Sequence, residues 1–235
     1  MPKQVANRGP IANRLLAALP RAEYQRLLVN LEPITLTFGE VLYEPGDPIR
    51  HVYFPTDSLV SLLSLVDRHL ALEVGMVGRE GMVGIAFALG IGASPVRAMV
   101  QGAGTALRMK ATHFRRAFRS SEPLQAAVLL YTHALMAQIA QTAACNRFHV
   151  VAARLARWLL MTRDRVGSDQ FRLTHEFLGD MLGVRRVGVT NAANALRRRK
   201  LIVYSRGNIT ITNGRGLQAA SCSCYAQVKG RYGTP

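Results

Sequence analysis

Residues Leu173–Lys200 read LTHEFLGDMLGVRRVGVTNAANALRRRK, and the rest of the chain is organised around them. Thr174 is suited to cap a helix, and Glu176 falls in its first turn, where a negative charge complements the helix dipole. Phe177, Leu178, Met181 and Leu182 then recur at helical spacing, which makes one face apolar. Gly183 follows, at a point where a left-handed backbone must end the helix at low cost. A second helical run turns Val184, Val189, Ala192, Ala193 and Leu196 inward, and small Gly179 lets the two helices cross closely. This is the spacing of a helix-turn-helix.

The second helix directs Arg185, Arg186, Gly188, Thr190 and Asn191 away from that core and runs into Arg197, Arg198, Arg199 and Lys200. Between Arg185 and Arg206 there are seven basic residues and no acidic one, a distribution that suits a phosphate backbone. An ordinary two-helix corner with a solvated basic face has the same local pattern. The next segment favours nucleic acid. Leu201–Thr212 (LIVYSRGNITIT) holds two β-rich runs around Arg206-Gly207-Asn208, which reads as a hairpin. Helix, turn, helix and hairpin make a winged helix-turn-helix, and the expected ligand is double-stranded DNA.

Composition agrees. The chain has 235 residues, 49% of them hydrophobic, enough for one or two domains with real cores. Its +16 charge is unevenly placed: residues 1–150 hold 15 basic and 10 acidic residues, residues 151–235 hold 15 and 4. The basic excess therefore sits with the helix-turn-helix. No apolar run approaches the roughly 20 residues a membrane helix needs. The N-terminus has no signal-peptide core, and three cysteines do not suggest a disulfide framework. A cytoplasmic protein without membrane contact is expected.

Taken in order, residues 1–10 are polar with two prolines and read as loose. Ile11–Leu19 and Arg21–Leu31 read as short amphipathic helices separated by Pro20. From Ile34 the period changes to alternating β-branched and aromatic residues, with Gly39, Gly46, Pro48 and Pro55 at turns. Strands at such intervals predict a small antiparallel barrel or sandwich, continuing through Ala71–Val77, Arg97–Gln101 and Ala106–Met109. Gly75–Ala93 carries six glycines among mostly apolar residues. Such a loop can bring backbone N–H groups to a phosphate, but tight turns between strands are the commoner reading.

Pro123–Asn146 has strong helix formers and no interior glycine or proline. Leu124, Val128, Tyr131, Leu135, Gln138, Thr142 and Cys145 follow spacings of four and three, a heptad seam expected to pack against its twin in a homodimer. A long core helix within one subunit is the other reading. Phe148–Arg165, with the single Trp158, forms the next helix. The expected class is α+β: a sensor barrel over 1–122, a dimerisation helix over 123–150 and the winged helix-turn-helix over 151–235.

The arrangement resembles the Crp/Fnr family of bacterial transcription regulators. The likeness is strongest from Arg154 through Ile211 and is also clear in Phe38–Phe54, FGEVLYEPGDPIRHVYF. The resemblance implies a β-barrel of the cyclic-nucleotide-binding type. It also implies double-stranded DNA, a second copy of the chain and RNA polymerase as partners. Half-sites would lie about one helical turn apart, in a roughly palindromic operator. Arg186 matches the family position where an arginine reads guanine. Val187 stands where the family's cyclic-AMP receptor has glutamate, and Asn191 where it has a second arginine, so the operator should differ.

By the same resemblance the effector pocket falls on Gly81, Met82, Val83, Gly84, Gly92, Ala93 and Arg97. Nucleotide-binding members use glutamate, arginine and serine at the positions taken here by Met82, Gly92 and Ala93. A desolvated cyclic phosphate needs a charge partner, and these residues offer none. Arg97 lies on the following strand, and Ile139 and Ala140 stand where the receptor places hydroxyls against the base. The effector is therefore expected not to be cyclic AMP. No cysteine precedes Cys145, so the N-terminal iron–sulfur cluster of the family's redox branch is not expected.

Other chemistry is thin. Cys145 and His149 lie four apart, and Cys222 and Cys224 two apart in the tail, but neither pair alone makes a ligand set. Free thiols are expected, with no metal and no cofactor. His51, His69, His113, His133 and His175 show no ligand spacing. No nucleophile elbow, P-loop or metalloprotease motif is present, so no catalytic residue is assigned and no enzyme is expected. Two other readings stay open: a small-molecule-binding module whose basic half contacts protein, and a non-specific architectural DNA binder.

Overall fold

The computed structural model describes residues 11–66, 70–205 and 207–232; the expectations for residues 1–10, His69 and Arg206 fall outside these. Two short helices come first, α1 (Arg14–Ala17) and α2 (Arg21–Leu28). Asn13 fixes the start of the first against the sensor. Its Oδ1 caps Leu16 N at 3.1 Å, while its Nδ2 donates to the carbonyls of Pro55 and Gly81, both at 2.9 Å.

The sensor strands are β1 (Glu32–Leu36), β2 (Val41–Tyr43), β3 (His51–Pro55), β4 (Leu59–Val66) and β5 (Leu70–Val77). After the short helix α3 (Ile85–Ala88) come β6 (Arg97–Gly102) and β7 (Gly104–Lys110). They form two antiparallel sheets, ordered β1-β7-β3 and β2-β6-β4-β5. The antiparallel barrel or sandwich expected of these strands is thus built as two sheets, with isolated bridges at Pro48↔Ala93 and Tyr53↔Val83 and backbone bonds that tie Gly39 and Glu40 to Val100. Leu36, Val52, Phe54, Val60 and Val100 are buried in the shared core. The glycine-rich segment is a run of turns, as its commoner reading held. Gly84, with φ +94°, starts α3, and Gly90 with φ +86° follows it.

Helix α4 (Ala111–Ser120) was not anticipated. It buries Ala111 and Phe114, and Phe118 stacks on Phe114 one turn away at 5.8 Å. Helix α5 (Glu122–Phe148) runs 27 residues, capped by Ser121, with Pro123 in its first turn. Its expected dimer seam is corrected here. Leu124, Val128, Tyr131, Leu135, Gln138, Thr142 and Cys145 are all buried within the same chain, so they cannot face a partner. The cause is competition for one helix by two surfaces. The sensor claims that stripe, with Gln138 Nε2 donating to Met76 O at 3.0 Å. The stripe left outward is a second heptad, Ala126, Leu129, His133, Met136, Ala140 and Ala143. Met136 on it is 65% exposed.

Helix α6 (Val151–Val166) leads to β8 (Gln170–Arg172), α7 (His175–Leu182), α8 (Arg186–Arg198), β9 (Ile202–Ser205), β10 (Asn208–Ile211), α9 (Gly214–Ala220) and α10 (Cys224–Tyr232). Their core is continuous with the sensor, since Leu59, Leu63 and Met76 pack with Leu155, Trp158 and Leu159. A buried polar thread crosses the same boundary. Trp158 Nε1 donates to Glu73 Oε1 at 2.9 Å, and Glu73 Oε2 lies 2.6 Å from Ser61 Oγ. A buried ion pair, Arg165 Nε to Glu80 Oε1 at 2.7 Å, closes a second point; Arg165 Nη2 also donates to Gln138 Oε1 at 3.0 Å.

Candidate nucleic-acid interface

The helix-turn-helix forms from the residues expected to form it. Thr174 Oγ1 accepts from Phe177 N at 3.1 Å, so its side chain caps α7. Gly183 ends that helix with φ +60°, and Val184 N closes back on Gly179 O at 2.9 Å. Gly179 is required by the crossing itself, since a Cβ there would lie 2.8 Å from the Val184 carbonyl oxygen. Val189, Ala192, Ala193 and Leu196 bury the inner face of α8.

On the outer face, Arg185, Arg186, Val187 and Asn191 are exposed, and Gly188 is half-buried. Val187 is 62% exposed, an apolar side chain held out beside two guanidinium groups. Arg197, Arg198, Arg199 and Lys200 form an exposed cationic cluster at the far end of the helix. None of these six cations is ion-paired among the described residues. Lys200 itself adopts φ +57°, so the chain turns sharply there into the wing.

Thr190 also makes contacts inside the fold. Its Oγ1 donates to the Arg186 carbonyl at 3.1 Å and sits 2.9 Å from His175 Nδ1. With the hydroxyl proton already committed, the imidazole is the donor of that second bond. Thr190 thus braces α7 against α8 and is half-buried. His175 was not singled out from sequence, yet it also stacks on Tyr204 of the wing at 4.2 Å. Burial, and secondarily the Arg186 charge, hold its imidazole below the usual histidine range, which keeps it neutral. Only the fold brings α7, α8 and the wing to one ring, because His175 is 15 residues from Thr190.

The wing is also larger than a hairpin. β10 pairs with β9 through Asn208↔Ser205 to Ile211↔Ile202, and with β8 through Asn208↔Arg172 to Thr210↔Gln170. The third strand escaped the sequence reading because three residues carry too short an alternation to register.

The expected effector positions do not come together as a charged cradle. Met82 and Val83 are buried in the core, and a Cβ on Gly81 would overlap the Tyr131 ring. Gly92 is exposed and Ala93 half-buried. Arg97 makes a two-point pair with Glu44, its Nε lying 3.0 and 2.9 Å from the two carboxylate oxygens. Cys145 and His149 are not isolated from the tail, as their spacing suggested; both meet Cys222 and Cys224 in space.

Residues 153–220 match the Crp-like helix-turn-helix domain. No curated protein matches the sequence. Solved structures share the fold over most of the chain. The c-di-GMP-responsive global regulator CLP of Xanthomonas campestris has a TM-score of 0.67 at 16% identity, covering 82% of this chain and 99% of its own. FixK2 of Bradyrhizobium japonicum gives 0.66 at 14% identity, covering 82% and 98%. A CRP-family transcriptional regulator of Thermus thermophilus gives 0.66 at 19%, covering 80% and 96%. At these identities the likeness is one of fold.

Proposed function

We propose that this chain, Crp/Fnr-like in fold and carrying a Crp-like helix-turn-helix over residues 153–220, is a homodimeric, sequence-specific regulator of transcription. The observation that carries the reading is the outer face of α8. The side chains of Arg185, Arg186, Val187 and Asn191 are exposed, and among the described residues neither arginine is ion-paired, on a helix whose other side is fully packed. Arg186 reads a guanine through two hydrogen bonds, while Val187 and Asn191 meet a thymine methyl and an adenine. Gly188 lets the helix approach the bases closely. Thr174 at the α7 start, Arg197–Lys200 and Arg206 hold phosphate, which fixes register without reading sequence.

The dimer forms along the outward heptad of α5 through Leu129, Met136 and their small neighbours, which makes the operator a palindrome. RNA polymerase is the further partner, and the cytoplasm the place of action. No helix among the described residues is long and apolar enough to cross a membrane. The signal is not cyclic AMP. Buried Met82, side-chain-free Gly92 and the Arg97–Glu44 pair leave the phosphate of a cyclic nucleotide without a cation. Any effector acts by binding one arrangement of the two α8 helices better than the other.

Selection of genomic fragments by the purified protein, with and without cyclic AMP and across a salt series, tests this reading. One palindromic motif, unaffected by cyclic AMP and bound less tightly as salt rises, is expected. Enrichment that depends on cyclic AMP would overturn the effector assignment. Salt-sensitive binding without a motif would mark an architectural DNA binder, and no DNA binding at all a protein-contact module.

A further inference from the structure

Four metal-type donors, far apart in sequence, meet at one point beside the end of α5. Cys145 lies in the last turn of that helix, and His149 is its C-cap residue. Cys222 and Cys224 flank Ser223 where α9 gives way to α10, 77 residues after Cys145. Cys145 Sγ is 3.4 Å from Cys222 Sγ, and Cys224 Sγ is 3.6 Å from His149 Nδ1. All four donor atoms lie within 4.8 Å of one another.

We propose that Cys145, His149, Cys222 and Cys224 form a structural site for one four-coordinate, thiophilic divalent cation of the zinc type. A tetrahedral zinc, with sulfur at about 2.3 Å and nitrogen at about 2.0 Å, sets its donors roughly 3.3–3.8 Å apart. The Cys224–His149 pair already has the separation of a sulfur and a nitrogen on one such ion, the Cys145 and Cys222 sulfurs need to part by a few tenths of an ångström to reach about 3.8 Å, and the remainder need to move by about an ångström or less. Four protein donors fill the coordination shell, which marks a structural site and not a catalytic one. A multi-iron cluster is larger than a single ion and needs its sulfurs farther apart.

A second observation comes from the neighbouring charges. Arg154 and Arg157 on α6 are only 6% and 4% exposed, yet neither is ion-paired with a carboxylate among the described residues. Each also has a buried Nε without a hydrogen-bond partner. Both guanidinium groups lie within electrostatic reach of the cysteine sulfurs. Buried cations without anions are costly. Arg157 also lies within electrostatic reach of the buried Glu73, and three thiolates and a neutral imidazole around a dication would add one net negative charge beside the two arginines. Gln141 Nε2 donates to Cys224 Sγ at 3.0 Å, the kind of outer hydrogen bond that orients a metal-bound thiolate.

The site straddles the break between α5 and α6 at His149–Val150, where the DNA-binding module leaves the long helix. A cation there staples α10 across the break and fixes the angle of the module to α5. Its existence does not rest on the DNA-binding reading, and metal content tests it separately.

The full chain, expressed with zinc and purified under reducing conditions without chelator, is expected to hold about one zinc per chain by mass-spectrometric metal analysis. Exchange with cobalt should give visible ligand-field bands of tetrahedral coordination and a near-ultraviolet sulfur-to-cobalt charge-transfer band. Cys222→Ser and Cys224→Ser should each lower zinc affinity by tenfold or more, while His149→Cys should retain stoichiometric metal. Wild-type protein that binds neither metal with its thiols reduced would overturn the proposal, as would a Cys145–Cys222 disulfide recovered in place of metal. Full zinc occupancy in the triple serine variant at 145, 222 and 224 would also overturn it. Should the serine variants fail to fold, the cobalt spectrum of the wild-type chain decides the matter.

Discussion

The indole of Trp158 donates a 2.9 Å hydrogen bond to the carboxyl of Glu73, joining the first helix after the long α5 to the edge strand of the sensor sheet. Both partners are buried, and Ser61 Oγ lies 2.6 Å from the other carboxyl oxygen. Burial outweighs these hydrogen bonds and raises the Glu73 acid to about 7 from the usual 4.5.

That shift has a definite sign. The folded state favours protonated Glu73, so its contribution is fully present below the unfolded pKa of 4.5 and is lost as pH rises through 7. Between these limits the difference is on the order of 3 kcal/mol. Urea midpoints of the wild-type chain should therefore fall from pH 5 to pH 8. In Glu73→Gln, which keeps an acceptor for Trp158, this part of the decline should disappear. Equal slopes for both proteins would contradict the assignment.

Arg165 and Glu80 form the other cross-boundary contact, with both side chains nearly inaccessible. Removing one partner leaves a buried charge, so Glu80→Ala should cost about 3–5 kcal/mol in denaturant unfolding. The double variant Glu80→Leu with Arg165→Met should cost clearly less than the two single changes added together. Strict additivity would mean that the pair is not energetically coupled.

Two glycines of the helix-turn-helix should respond in opposite ways. Gly179→Ala drives a methyl toward the Val184 carbonyl and should cost about 1–3 kcal/mol, with loss of DNA binding. Gly188→Ala meets only ordinary contact with Val184, at 3.8 Å. It should stabilise the helix by up to about 1 kcal/mol. If α8 lies against bases at Gly188, the same change should weaken operator binding while thermal stability rises. Unchanged affinity would place the DNA elsewhere.

The long helix offers a test of which stripe pairs. Met136→Glu should yield a folded monomer by sedimentation, because Met136 lies on the outward heptad. Leu135→Glu, one residue away, should unfold the sensor, because Leu135 is buried in its core. A folded monomer from the second change and a dimer from the first would restore the original seam.

Base and phosphate contacts should separate in a substitution series on α8. Arg186→Ala should relax preference at one base pair at a cost of about 1–3 kcal/mol. Arg198→Ala should weaken all sequences alike and reduce the salt slope by about one. Parallel losses on every sequence for both variants would sink the division of roles.

By itself the sequence determined what is local. Thr174, Gly179, Gly183 and the inward Val189–Leu196 face specify a helix-turn-helix because caps, turns and helical period act within a few residues. The 27-residue helix was equally legible, since nothing between Leu124 and Phe148 interrupts it. Only the tertiary structure decided which of its two heptads is buried. Both stripes satisfy the same spacing, and the choice rests on which one the sensor core covers. The same limit hid the contact of Thr190 with His175, placed Glu73 under Trp158, and concealed that Cys145 and His149 meet Cys222 and Cys224. These contacts join residues between 15 and 85 positions apart, and periodicity carries no information over such distances.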